Sequence, residues 1–221
     1  MFSQILSVCV FSIMALAIWA VFQYAPTERE MGIVQRIFYF HVPAAMTAFG
    51  AFFVVFFSSI VYLKNKQDRW DCLALGAAEL GVLFSTINLL TGPLWAKPIW
   101  GVYWRWEPRL TTMLITFAMY VAYLIIRAYA VSNIEHVKRV ASAFGIVAFV
   151  NVPLVYFSVD LWAPEQQLHP QRGVPIAAEM RHTLYLCYLA FGLLFVYLLR
   201  LRTELEESLR HMAKLRIHHH E

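Results

Sequence analysis

Six stretches of this chain, at about 5–24, 40–63, 72–91, 110–129, 140–159 and 183–201, each run close to 20 residues with almost no charge. That length matches the helical rise across a bilayer's hydrocarbon core, which takes about 20 residues at 1.5 Å each. In lipid the backbone must satisfy its own hydrogen bonds, so segments of this kind cross as helices. The whole chain agrees: of 221 residues, 60% are hydrophobic and only 14% charged, more apolar surface than a water-soluble domain of that size can hide. The expectation is an all-α integral membrane protein with six transmembrane helices. Residues 1–203 would form one six-helix domain and 204–221 a charged cytoplasmic tail, read as a short helix. The first segment is read as a retained span, because no Lys or Arg precedes its apolar run as in a signal peptide.

Loop charge sets the expected orientation. With the amino terminus inside, the inner side receives eleven cationic residues (Lys64, Lys66, Arg69, Arg127, Lys138, Arg139, Arg200, Arg202, Arg210, Lys214 and Arg216). The outer side receives seven: Arg29, Arg36, Lys97, Arg105, Arg109, Arg172 and Arg181. The bias favours both termini in the cytoplasm. The outer side still keeps more cations than topology alone asks for, and its connections are the longer, aromatic and Pro-rich ones. Chemistry is therefore expected there. The net charge of +4 reads as topology and anion contacts, not as a nucleic-acid surface.

Cys9, Cys72 and Cys187 are odd in number, far apart and set in or beside apolar runs, which makes them free thiols packed as small hydrophobes. The sequence contains no C-x-x-C-H. Several polar groups lie within spans. Glu79 is either a functional acid or a group near the inner interface paired with another helix. Asn88 and Asn151 are expected to hydrogen-bond between helices, and Pro153 to kink the fifth span. Thr27 to Phe40 reads as an amphipathic surface helix, with Arg36 either solvated or an anion contact. His218, His219 and His220 are set aside.

Two histidines begin helices that run from outside to inside: His41 in F-Y-F-H-V-P and His182 in M-R-H-T-L-Y. Both therefore fall near the outer boundary. Either alone is commonly an interfacial helix-end residue; together they are also placed to reach one metal from opposite sides. Between the third and fourth spans the chain reads L-W-A-K-P-I-W-G-V-Y-W-R-W-E-P-R-L-T. Four of the seven tryptophans, Trp95, Trp100, Trp104 and Trp106, fall there with Tyr103, on the outer side with the histidines. An aromatic belt explains one or two of these, but this density suits a planar guest on which indoles stack. Lys97, Arg105 and Arg109 suit carboxylates such as porphyrin propionates. Two imidazoles without thiolate or carboxylate partners leave zinc short of ligands, whereas a porphyrin supplies four nitrogens of its own. Haem is thus the inferred guest, with His169 in the last outer loop an alternative ligand.

At these residues the chain resembles the CcmC family, the haem-handling subunits of the cytochrome c maturation system. W-G-V-Y-W-R-W-E-P-R-L-T is similar to that family's tryptophan-rich signature, W-G-x-x-W-x-W-D-x-R-L-T, with Glu107 standing where Asp is usual. Q-R-I-F-Y-F-H-V-P-A-A resembles its first histidine motif, and N-V-P-L-V-Y-F-S-V-D-L-W with the later L-H-P the stretch before its second. W-A-P-E-Q-Q-L-H-P departs from the family's W-x-T-L-H-Q, which leaves the part played by His169 open. The resemblance implies that His41 and His182 are axial ligands of a non-covalent haem b and that Trp95 to Arg109 form its platform. It implies delivery of haem to a periplasmic chaperone, CcmE, beside the transporter subunits CcmA and CcmB and the small membrane protein CcmD, in the bacterial inner membrane. The role is one of binding and delivery, not catalysis. Two other classes compete: a b-type cytochrome passing electrons, which would set its histidines deeper in the helices, and a haem permease, which would call for broken helices at a midplane site.

Overall fold

The computed structural model describes residues 2–129, 134–162 and 175–218. Among them are no strands, and the order is α1 (Phe2–Trp19), a π-turn (Ala20–Tyr24), a 3-10 turn (Ile33–Ile37), α2 (Phe38–Asn65), α3 (Asp68–Trp100), α4 (Pro108–Ala128), α5 (Ile134–Phe149), α6 (Asn151–Leu161) and α7 (Ala178–His218). Six helical stretches are long and apolar enough to cross a membrane: Gln4–Tyr24, Ile33–Asn65, Asp68–Trp100, Pro108–Ala128, Ile134–Ser158 and Ala178–Ala213. The six-span, all-helical expectation holds.

The helices run longer than the apolar runs, and the differences have local causes. Helix α3 continues past its apolar stretch through Pro93 and Pro98 to Trp100, so half of the tryptophan loop is helical. It stops where Gly101 takes a φ of 75°, open to glycine, and donates its amide to the Lys97 carbonyl. Helix α7 carries on past Arg200 without a break to His218, so the charged tail is the sixth span's own helix prolonged. No Gly or Pro follows Gly192 in it, and the i,i+4 pairs Arg200–Glu204, Arg202–Glu206 and Glu206–Arg210 support the turn. Thr27 to Phe40 is not one amphipathic helix. A Glu28–Gly32 bridge precedes the 3-10 turn, Gly32 has a φ of 59°, and the Glu28 carboxylate accepts the Met31 and Glu30 amides. Those bonds, that to Met31 foremost, hold the Glu28 carboxyl below its usual range. The fifth span breaks at Val150, between α5 and α6. Pro153 lacks the amide that the Phe149 carbonyl would take, which ends α5 at Phe149 as the kink anticipated.

The centre is built on α2, packed along α3, α5 and α7. Phe52 stacks on Tyr120 with centroids 3.7 Å apart, and a Cβ on Gly81 would overlap the Phe52 ring, so that glycine is what lets α3 lie against it. A second cluster joins Val21 of the π-turn, Tyr39 of α2, and Met180, Leu184 and Cys187 of α7. Cys72 and Cys187 are buried, while Cys9 is exposed.

One end of the bundle is closed by ion pairs. Asp71 is buried and receives both terminal nitrogens of Arg127, with Arg210 Nη2 at 2.8 Å. Lys138 bridges Asp68 and Glu135, each at 2.7 Å, and Tyr62 donates to Glu135. Glu79 takes two hydrogen bonds from Arg202, at 2.5 and 2.8 Å, so it is paired with another helix. Asn151 bridges helices too, donating to the Thr112 carbonyl at 2.9 Å and to Thr116 Oγ1 at 2.6 Å. From Asp71 to Asn88, 17 residues along α3, is about 26 Å, close to a hydrocarbon core's thickness. The far end of that distance is where the pocket opens.

Candidate functional site

His41 lies in the first turn of α2, one residue before Val42 and two before Pro43, facing α3. Its Nδ1 is 3.0 Å from Thr91 Oγ1, and the Asn88 amide nitrogen is 3.2 Å from its Nε2 and 3.4 Å from its Nδ1. Trp95 meets the imidazole edge to face at 5.7 Å, and Phe38 backs that indole at 6.0 Å. Close approach of the two helices depends on Gly92, where a Cβ would sit 3.3 Å from His41 Cε1.

Around this imidazole opens a cavity of about 150 Å³. Its wall includes Trp95, Trp100 and Trp104, the apolar Phe49, Met46 and Met113, and Arg109 at the start of α4. Pro108 opens α4 at the position where its missing amide costs nothing, which sets Arg109 in the first turn. The Nε1 groups of Trp95 and Trp104 are buried without a hydrogen-bond partner among the described residues. Buried donors are ordinarily paired, which makes these two N–H groups available to an acceptor.

The remaining predicted residues lie outside that cavity. Trp106 is 76% exposed and touches Trp104 edge to face at 5.7 Å. Tyr103 is exposed, with Lys97 Nζ 5.2 Å over its ring, and Lys97 also donates to the Gly101 carbonyl at 2.8 Å. Lys97 is therefore occupied in shaping the turn. Arg105 and the buried Glu107 line a small crevice behind Trp100 and Trp104. Arg36 donates to the Phe22 carbonyl at 2.9 Å and lies over the Phe22 ring, tying the 3-10 turn to the end of the first span. Arg36 is part-exposed and does not line the cavity. His169 lies outside the described residues.

His182 is at the same end of the bundle but does not line the cavity. It is exposed, in the second turn of α7, with Nδ1 3.2 Å from the Tyr24 hydroxyl. Phe84 touches both Phe191 and Phe195, which puts the middle of that pair opposite residue 84. His182 and Trp95 each lie 11 residues beyond those points, about 16 Å along their helices, so they stand level. His41, bonded to Asn88 and Thr91, is one to two turns lower. On α2, Tyr39 packs against α7 in the second cluster, and His41, about 200° further round the helix, points the other way. The structure thus brings His41, Trp95, Trp100, Trp104 and Arg109 together and keeps His182 apart.

Sequence reasoning placed Asn88 as an interhelical group, which it is, but not as the neighbour of His41. Thr91, Gly92, Met46, Met113 and Tyr24 were missed. Thr91 and Asn88 were within reach of the pattern, since 88, 91, 92 and 95 share one face of a helix, once α3 is known to continue past residue 91.

Six apolar spans with one aromatic, histidine-bearing pocket at an end of the bundle define a multi-pass membrane protein of the small-molecule-binding kind. Residues 1–218 match the family model described as Heme exporter protein C, CcmC. The chain is 33% identical to the Heme exporter protein C of Paracoccus denitrificans over 86% of its own length and 80% of that protein. It is 31% identical to a putative cytochrome c biosynthesis ccmC-like mitochondrial protein of Marchantia polymorpha, over 88% and 85%, and 30% identical to Heme exporter protein C of Escherichia coli K12, over 84% and 75%. The chain belongs to the CcmC family.

Proposed function

We propose that this protein holds haem at the pocket end of the bundle and delivers it for cytochrome c maturation, acting by binding and release and not by turnover. The observation that carries the reading is His41 set in a pocket walled by Trp95, Trp100 and Trp104 with Arg109 beside it. The donor set suits haem: an imidazole for iron, indole faces for the macrocycle, and a guanidinium with two indole N–H groups for carboxylates. The volume suits part of it. A cavity near 150 Å³ admits a benzene-sized body, so it takes an edge of a porphyrin, with the rest toward the exposed Trp106 and Tyr103. A rim site of that kind favours release as well as capture.

In this reading the guest is haem b, held without covalent attachment, since the chain has no C-x-x-C-H. Its ligands are His41 and, after movement at the outer end, His182. The pocket end faces the periplasm, both termini are cytoplasmic, and the membrane is the bacterial inner one, in line with the loop charges. Residues 1–203 handle haem, and 204–221 form the tail. Partners are the chaperone CcmE, the transporter subunits CcmA and CcmB, and CcmD. The test is an absorption spectrum of the detergent-purified protein beside His41→Ala and His182→Ala. Each variant is expected to lose haem or change its ligand-field bands; two spectra identical to the parent would refute the ligand assignment.

A further inference from the structure

Met46 and Phe49 lie seven residues, two turns, from Phe53 and Phe56 on one face of α2. Toward the ion-paired end α5 covers that face: Phe149 meets Phe53 at 5.8 Å and Phe56 at 4.7 Å. Toward the pocket end the cover is withdrawn. The chain bends at Val150, and Asn151 donates to the Thr112 carbonyl at 2.9 Å and to Thr116 Oγ1 at 2.6 Å, so α6 packs on α4 and not along α2. Val155, six residues past Phe149 and so near the level of Phe49, lines the cavity. Met46 is left 41% exposed, and among the described residues it is the one member of the cavity wall that is exposed.

The cavity has two tiers. Helices α2 and α4 run the same way and are level where Phe52 stacks on Tyr120. His41 and Arg109 each lie 11 residues beyond that pair, about 16 Å, whereas Met46 and Met113 lie six and seven beyond, about 10 Å. The upper tier therefore holds the imidazole and the guanidinium, and the lower one is walled by the uncharged Met46, Phe49, Met113 and Val155. Met46 is also about 7 Å nearer than His41 to the ion-paired end, so the opening beside it lies within the hydrocarbon core. It faces lipid, not water.

We propose that the lower tier is a binding site for a lipid acyl chain, which enters sideways at Met46 through the gap that the bend at Val150 leaves between α2 and α6. An apolar cavity open to hydrocarbon gains dispersion contacts when a methylene chain fills it. The chain belongs to a phospholipid of the half-bilayer at the pocket end. This site stands whether or not the upper tier holds haem.

The test places the full-length protein in nanodiscs of phosphatidylcholine carrying a diazirine in its acyl chain, with irradiation and peptide mass spectrometry. Met113 and Val155 are buried, out of reach of lipid that merely surrounds the bundle, whereas Phe53 and Phe57 are exposed to it. Adducts are expected at all four positions. In Met46→Trp, where a larger ring fills the mouth, those at Met113 and Val155 are expected to be lost and those at Phe53 and Phe57 kept. Met46→Ala, which widens the mouth, is expected to keep all four. Adducts at Phe53 and Phe57 alone in the parent protein would overturn the site, since the chain would then stay outside. Undiminished labelling of Met113 and Val155 in Met46→Trp would overturn the side entrance.

Discussion

Asp71 accepts both guanidinium Nη groups of Arg127 from a position where its own side chain has no exposure, and Arg210 reaches the same carboxylate from α7. One acid on α3 therefore joins α4 and the prolonged sixth span. Replacing it leaves two guanidinium groups without their common anion in a buried site, and breaking a buried pair of this kind costs about 3–5 kcal/mol. Asp71→Ala is expected to lower the melting temperature in detergent. Because the pocket is about 26 Å away, haem affinity of the surviving folded fraction is expected to stay within twofold. A variant as thermostable as the parent would show that this network does not hold the bundle end.

At the pocket, Gly92 separates packing from chemistry. Its Cβ position lies 3.3 Å from His41 Cε1, tight for a real contact. Gly92→Ala is expected to shift the imidazole by a few tenths of an ångström with a stability loss of about 1 kcal/mol. Gly92→Val, larger and β-branched, is expected to cost more and to abolish the His41 contribution to the haem spectrum. Titration of haemin into both variants, with thermal unfolding alongside, distinguishes displacement of His41 from general loosening.

The number of spans, their approximate places and the sharing of one end by His41, His182 and the tryptophans were legible because apolar length and loop position are local properties of the sequence. What was not legible is which side chains face one another. His41 and His182 share an end yet sit on different sides of α2, since that depends on helix rotation, fixed by Tyr39 packing on α7 and Gly92 admitting His41 to α3. Likewise Trp106 and Trp104 look equivalent in W-R-W, but one is exposed and the other walls the cavity. Past the Gly101 cap the chain is neither helix nor strand, so no regular period relates the two rings. The extension of α3 to Trp100 was hidden by Pro93 and Pro98, which usually end a helix in water and are tolerated in this long span.

Tyr24 is the partner of His182 and belongs to the π-turn that ends the first span. Its hydroxyl lies 3.2 Å from Nδ1, which leaves Nε2 as the other ring nitrogen for a ligand. Tyr24→Phe removes that hydroxyl while keeping the ring and its stacking on Trp19. The expected result is an unchanged fold with a two- to fivefold weaker haem affinity, the scale of one exposed hydrogen bond. In a His182→Ala background the same substitution is expected to do nothing further. Additive losses in the double variant would mean that Tyr24 acts through the first span and not through His182.

The tryptophans make the sharpest comparison, because their burial differs while their chemistry does not. Trp104 walls the cavity, and its buried Nε1 has no partner among the described residues; Trp106 is largely open and meets Trp104 edge to face. If stacking inside the cavity holds the guest, Trp104→Ala removes a cavity wall and an N–H donor together. It is then expected to weaken haem binding about tenfold or more, on the scale of a lost aromatic contact plus its hydrogen bond. Trp106→Ala on its own is expected to change equilibrium affinity by less than about threefold. Its exposed ring is placed instead to meet the guest outside the cavity. The transfer rate to an acceptor is therefore expected to fall more than affinity does in Trp106→Ala, and stopped-flow transfer to apomyoglobin set against equilibrium titration separates the two. Equal losses of affinity at both positions would mean that the guest lies over the whole loop and not with one edge in the His41 cavity.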